Sequence, residues 1–330
     1  MHIGTILPHT KLYGGVKRFL ELGNMFEKAG HSSIIYSPDG LHPTWFNYKG
    51  KVKTFNSLTN DTLDALFFTE PKYLQLVLKA NAKRKIFYFI HPREKLKRFR
   101  KHPTIEIFAN SSNLLQLAEK KYKITAYPAF GGINLNTYNS KPNADRNPLE
   151  PFVVMAYGRM ARKKKGTKYV IKACQRLWRK GYNIELLLFD TPLNDKMLKK
   201  NSQLKLSIPY VFIQNHPVLK NQELYHRAHV FVSAENQAGW SNTAAEALAC
   251  GIPLVGTTSG TDNFLLNNQT GIVVTRNSKR IADAIERLMN DEPFRQQLAQ
   301  NGRKKIEEFD WSILAEKIIR HIAEPFGSNN

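Results

Sequence analysis

The stretch that most restricts how this chain can fold is ENQAGWSNTAAEALACGIPLV, residues 235–255. Apolar runs at 230–234 and 253–257 bracket it. Each is short, rich in Val or Leu and bounded by Gly, Pro or polar residues, the pattern of strands buried in a parallel sheet. Between them SNTAAEALA has helix-forming composition. The segment is expected to be a β-α-β unit. Gly239 lets the backbone turn off the first strand, and Ser241, Asn242 and Thr243 offer N-caps. A helix start with unpaired amides then faces the strand ends, a place built for anions. Glu246 falls three residues after Thr243 and has two readings. It closes a capping box with Thr243, or it presents a carboxylate to two vicinal hydroxyls of a ligand whose phosphates sit on the helix end.

A chain of 330 residues with 42% hydrophobic content can bury sizeable cores and divides more naturally into two domains than one. No run reaches the roughly 18 to 20 apolar residues of a membrane span, and the opening MHIGTILPHTK is too short for a signal peptide, so a cytoplasmic location is expected. Cys174 and Cys250 show no CxxC or Cys/His spacing and read as buried, reduced thiols. The formal net charge of +22 calls for anionic partners without choosing among nucleic acid, phosphorylated substrates and an acidic membrane surface. Its densest patch runs from Lys83 to Lys101, nine Lys or Arg against the single acid Glu94.

Along the chain, apolar strand-like runs at 2–7, 33–37, 65–69, 86–90 and 105–109 alternate with helical stretches at 16–29, 72–82 and 112–121. That is the rhythm of a doubly wound parallel sheet. Residues 137–151, TYNSKPNADRNPLEP, lose all apolar periodicity and read as a linker. The rhythm restarts with strands at 152–157, 184–189 and 210–213 and helices at 167–180 and 221–228, then the central unit. Helices at 280–290 and after Asp310 follow, the last with Trp311, Leu314, Ala315, Ile318, Ile319 and Ile322 on one face.

Three further places could carry chemistry. The run 152–157 leads straight into GRMARKKKG, which sets Arg159 and the cluster 162–165 at a strand's carboxyl end, where a diphosphate would find its counter-charge. His91 follows another strand and precedes Pro92. GTTSGTDNF, residues 256–264, adds a glycine-bearing loop to the same edge as the central helix. No Asp-x-Asp occurs, which removes the commonest means of holding a magnesium ion against a nucleotide diphosphate.

YGGVKRFLELGNMFEKAGH, FANSSNLLQLAEKKYK, GGINLNTY, YGRMARKKKGTKYVIKA, QNHPVLKNQELYHRAHVFVSA, GWSNTAAEALACGIPLV and QTGIVV occur in this order over nearly the whole chain. Together they resemble the family 4 glycosyltransferases of GT-B architecture. The resemblance implies two Rossmann-like parallel-sheet domains facing across a cleft: 1–140 on the acceptor side, a linker at 141–151, a nucleotide-sugar domain at 152–310, and a last helix, 311–330, crossing back. It also implies roles for individual residues. Arg159 and a lysine before Gly166, with Gly15, would bind the donor diphosphate. Glu246 would bind the ribose, Gly239, Trp240, Ser241, Asn242 and Thr243 would form the donor-sugar and phosphate loop, and His91 would contact the donor sugar as the catalytic residue. Two departures stand out. The acid usual eight residues before Glu246 is Ala238, with Glu235 three residues early, and one extra residue leaves Lys164 and Lys165 both eligible for the phosphate.

The expected function is therefore retaining transfer from a nucleoside diphosphate sugar, UDP first with GDP or dTDP as alternatives, to a cell-surface glycan or lipid-linked acceptor. No metal or other cofactor is expected. The basic stretch from Lys83 to Lys101 would hold an anionic membrane surface, making the protein peripheral, and no nucleic-acid partner is expected. The rivals are a sugar-nucleotide epimerase of the same fold, a non-catalytic basic nucleic-acid-binding protein, and a transferase that binds donor without turnover.

Overall fold

A computed structural model describes residues 1–140, 150–192 and 194–324. Most of the expected linker, residues 141–149, and the tail GSNN lie outside the described residues. The chain divides into two compact units. One is Met1–Asn134 together with Phe309–Asn330, the other Leu135–Glu308.

In the first unit, β1 (His2–Ile6), β2 (Ser32–Ser37), β3 (Lys51–Thr54), β4 (Leu63–Phe68), β5 (Ala82–Phe89), β6 (Ile105–Ala109) and β7 (Tyr127–Pro128) form a sheet in the order β3-β2-β1-β4-β5-β6-β7. Every pairing among these described strands is parallel. The order reverses between β1 and β4, the switch point where open α/β sheets hold ligands. On one face Val16, Phe19, Leu20 and Phe26 of α1 (Gly14–Lys28) and Trp311, Leu314, Ala315 and Ile318 of α10 (Trp311–Ala323) share a core with Ile3, Ala65, Ile86 and Phe108. On the other face α2 (Leu74–Lys79) and α3 (Ser112–Gln116) pack Leu74, Val77 and Leu114 against Ile6, Leu66, Phe87 and Ile107.

The second unit builds β8 (Phe152–Tyr157), β9 (Ile184–Asp190), β10 (Tyr210–Gln214), β11 (Val230–Ser233), β12 (Leu254–Gly256) and β13 (Gly271–Val273) into a sheet ordered β10-β9-β8-β11-β12-β13. It too is parallel throughout its described strands. Around it lie α4 (Thr167–Arg179), α5 (Asp195–Ser202), α6 (Gln222–Tyr225), α7 (Asn242–Ala249), α8 (Ser278–Asn290) and α9 (Glu292–Ile306). Val170, Cys174 and Leu177 of α4 and Ile281, Ile285 and Leu288 of α8 line one core with the strand side chains. Cys174 and Cys250 are free and buried, and burial pushes the Cys174 thiol up to about 12.

Several expected elements change. The helix expected over 72–82 is a 3-10 turn, Pro71–Tyr73, followed by α2, and Ala82 already belongs to β5. The stretch 112–121 ends in a π-helical turn, Leu117–Lys121. The helix expected over 221–228 keeps only four residues, Gln222–Tyr225. Gly14 and Gly15 open α1 rather than lying in the loop before it. Among the described residues no helix is long and apolar enough to cross a membrane.

Candidate functional site

The second sheet reverses its order between β8 and β11, and its register brings the strand ends level: Tyr157 pairs with Phe189, and Ala156 with Val232. The residues just beyond these ends converge. Arg159 Nε donates to Asp190 Oδ1 at 2.9 Å, and Nη2 lies 2.8 Å from the same oxygen while donating to the Thr191 carbonyl at 2.6 Å. The Asp190 side chain is fully buried and its second oxygen accepts from Asn201 at 3.4 Å. Arg159 is therefore held as a rigid fork by an acid at the end of β9.

Lys165 Nζ donates to Glu235 Oε2 at 2.6 Å, and the Glu235 side chain is 5% exposed. The Arg159 guanidinium lies 5.2 Å and the Lys165 ammonium 5.3 Å from the centre of the Tyr157 ring, so one aromatic side chain gathers both cations. Burial, and then the nearby Asp190 charge, raise the Tyr157 hydroxyl far above its ordinary range. It stays neutral.

The loop carrying these cations is fastened to the end of β11. Gly166 has φ 76, and a Cβ there would come within 2.0 Å of the Ala234 carbonyl oxygen. Asn236 N donates to the Lys164 carbonyl at 2.9 Å. Arg276, beyond β13, donates to the Ala234 carbonyl at 3.0 Å and also to the Lys163 carbonyl. Of the two eligible lysines, Lys165 is thus the one whose ammonium the structure sets beside Tyr157 and Glu235.

The helix start lies beside them. Ser241 N donates to the Gly260 carbonyl at 2.8 Å, Ala238 N to Ser259 Oγ at 2.9 Å, and the Trp240 ring packs edge-on against Phe264 with centroids 4.9 Å apart. The glycine-bearing loop after β12 therefore buttresses residues 238–241. The ladder of α7 begins with Ala245 N donating to the Ser241 carbonyl, which leaves the amides of residues 242–244 ahead of it. Of the two readings of Glu246, the capping box with Thr243 does not form. Ser241, not Thr243, is the N-cap, and it makes no side-chain cap. Its hydroxyl donates instead to Glu235 Oε1 at 3.1 Å. The left-handed residue of the loop is Gln237, φ 63.

Glu246 becomes the fifth residue of α7, 5% exposed, and its Oε2 accepts from the Tyr225 hydroxyl at 2.9 Å. Burial and then the Glu246 charge raise Tyr225 well above its usual range, so this hydroxyl remains a donor.

In the first unit, Gly15 and His91 lie at the carboxyl edge of the sheet. A Cβ on Gly15 would stand 3.3 Å from Ile90 Cδ1, one residue before His91. His91 Nδ1 accepts from Arg93 N at 3.2 Å, and its carbonyl accepts from Glu94 N at 3.0 Å. The basic stretch is not one surface. Arg84 is buried against Glu106, Lys83 pairs with Asp64 at 2.8 Å, Lys85 donates to the Leu78 carbonyl at 3.0 Å, and Arg100 Nε to the Tyr122 carbonyl at 2.8 Å. Lys95, Lys97, Arg98 and Lys101 remain exposed around a 3-10 turn, Leu96–Lys101, anchored by buried Leu96 and Phe99. Among the described residues no three His, Cys, Asp or Glu side chains gather as metal ligands would.

Sequence reasoning missed Asp190, Tyr157 and Tyr225, and left Glu235 without a role. Asp190 closes an apolar run and was open to the same strand-end argument as Arg159. Tyr225 carried no local signal, because its partner lies 21 residues away in another helix.

The sequence pattern of the family described as glycosyl transferases group 1 matches residues 139–305, just over half the chain. A capsular polysaccharide biosynthesis glycosyltransferase of Staphylococcus aureus, CapM, is 29% identical over 221 residues, 63% of this chain and 56% of its own. The chain thus spans little more than half the length of that relative. Two solved structures share the fold over almost all of both chains. Sucrose-phosphate synthase from Thermosynechococcus elongatus has TM-score 0.76 and 17% identity, covering 97% of this chain and 98% of its own. Anabaena HepE, solved in complex with UDP and glucose, has TM-score 0.77 and 15% identity, covering 98% and 99%.

Proposed function

Since the chain belongs to the group 1 glycosyl transferases, we propose that it transfers a sugar, with retention of configuration, from a nucleoside diphosphate sugar to a glycan or lipid-linked acceptor. The observation that carries this reading is the pairing of two fixed cations, Arg159 and Lys165, within 5.3 Å of one ring at a sheet's switch point, next to the start of α7. Two adjacent phosphates would meet two charges and a helix end there, which stabilises a departing diphosphate. Lys164 adds a further positive charge to the loop, and in this reading no metal ion is needed. Glu246, oriented by Tyr225, takes the ribose hydroxyls. Gly15 and His91 keep the roles that the resemblance gives them.

UDP is the first candidate nucleotide because HepE, which has this fold, was solved with UDP. The name of CapM favours a polysaccharide acceptor. In the reaction the leaving phosphate oxygen takes the acceptor proton as the new bond forms on the face it vacates, so no side-chain nucleophile is required. The acceptor is proposed to lie at an anionic membrane surface, which the exposed Lys95, Lys97, Arg98 and Lys101 would attract.

Thermal unfolding of wild type and Glu246→Ala against UDP, GDP and dTDP, with a DNA oligomer as charge control, tests the reading. One nucleotide at about a hundred times its Kd is expected to stabilise the wild type by roughly 2.7 kcal/mol, and Glu246→Ala to abolish the shift. Stabilisation by DNA alone would sink it.

A further inference from the structure

Glu235 is a buried carboxylate whose two oxygens serve two different elements. Oε2 holds Lys165 of the loop between β8 and α4 at 2.6 Å, and Oε1 accepts from Ser241, the N-cap of α7, at 3.1 Å. The backbone carbonyl of Glu235 accepts from the Thr257 hydroxyl at 2.6 Å, which fixes the residue from the β12 side as well. Lys165 and the start of α7 are the two parts that an incoming diphosphate needs at a set separation. Among the described residues no other side chain bridges the Lys165 ammonium to that helix. We propose that Glu235 is the positioning residue of the anion site: it bridges Lys165 to Ser241 and so spaces the cation from the helix amides.

The bridge has a chemical logic. A lysine side chain has four rotatable bonds and loses much rotamer freedom on binding an anion. A carboxylate that already restrains it removes part of that cost before the ligand arrives. The same carboxylate draws the Ser241 hydroxyl away from capping, which keeps the amides of residues 242–244 for the ligand. Because Lys165 is 24% exposed against 5% for Glu235, the ammonium can donate to a phosphate without leaving its anchor.

The inference rests on the donor-site reading above, and a double-mutant cycle separates the two. Calorimetric Kd values for UDP and for inorganic pyrophosphate are measured on wild type, Glu235→Ala, Lys165→Met and the double variant, with unfolding midpoints alongside. Glu235→Ala is expected to weaken both ligands about tenfold, Glu235→Gln to recover part of that loss, since its one carbonyl oxygen accepts from Lys165 while its amide nitrogen donates to the Ser241 hydroxyl, and the double variant to bind no worse than Lys165→Met. Ser241→Ala supplies a second cycle that does not depend on residual binding to the lysine variant, with the same expected loss of additivity. Equal losses from Glu235→Ala in both backgrounds would show that it merely supports the fold, and tighter binding would show a competitor for Lys165; either overturns the proposal. If pyrophosphate shows the coupling and no nucleotide binds, the positioning role stands while the transferase reading falls. If neither ligand binds wild type, both fall.

Discussion

Gly166 shows how tightly single positions are specified in the second unit. Its φ of 76 lies in the left-handed region, and its missing Cβ leaves room for the Ala234 carbonyl, which a methyl would approach to 2.0 Å. Gly166→Ala is expected to lower stability by at least about 2 kcal/mol, from the backbone region alone and before the clash is relieved. It should also weaken UDP binding by displacing Lys165. Urea unfolding and calorimetry check both. The glycine was legible in GRMARKKKG, and so were Arg159 and Glu246, because a strand end followed by cations and a helix start bearing an acid are local patterns. Their partners were not. Arg159 meets Asp190 across 31 residues, Lys165 meets Glu235 across 70, and Glu246 meets Tyr225 across 21. Only the sheet register brings such pairs together, and no spacing rule reports it.

Among the elements, the long β-branched and aromatic runs announced their strands, while the short helices of the first unit did not. Residues 72–82 contain Leu74, Leu76, Val77 and Leu78, enough for a helical pattern, yet Ala82 is taken by the ladder with β4. Tertiary pairing overrides propensity there. The last helix was readable from its apolar stripe, but not the polar clasp at its far end. Arg84 of β5 donates to Glu106 of β6 and to the carbonyls of His321 and Glu324, satisfying the carboxyl end of α10. Burial would raise Glu106, but hydrogen bonds from Arg84 and His321 outweigh it and hold the carboxyl below its ordinary value. A depressed folded value means that Glu106 contributes stability above the ordinary carboxylate range and loses it as the pH falls through the folded value. Glu106→Gln should therefore cost about 3 kcal/mol at pH 7, where it leaves Arg84 without its buried acid. The gap from wild type should narrow below about pH 4. Urea midpoints at the two pH values measure it.

For the whole molecule, the net charge of +22 said that an anion was wanted without saying where. The structure divides that charge between cations used internally, such as Arg84, and cations left in water, such as Lys95, Lys97, Arg98 and Lys101. Replacing those last four by Ser should release the protein from anionic vesicles, at about 1 kcal/mol each near the surface, and leave the nucleotide Kd unchanged. Unaltered vesicle binding in flotation would remove the membrane from the proposed function. The two units also differ in how they occupy the chain. Residues 135–308 are continuous, whereas the first unit is completed only by the segment that begins at Phe309. Ile133 N donates to the Phe309 carbonyl and Trp311 N to the Ile133 carbonyl, and the Trp311 ring fills the place where a Cβ on Gly132 would stand. During synthesis on the ribosome, the part made first must wait with the α10 side of one apolar face uncovered until that helix emerges, while the part made second is complete in one continuous stretch. The order of translation and the order of completion are thus reversed.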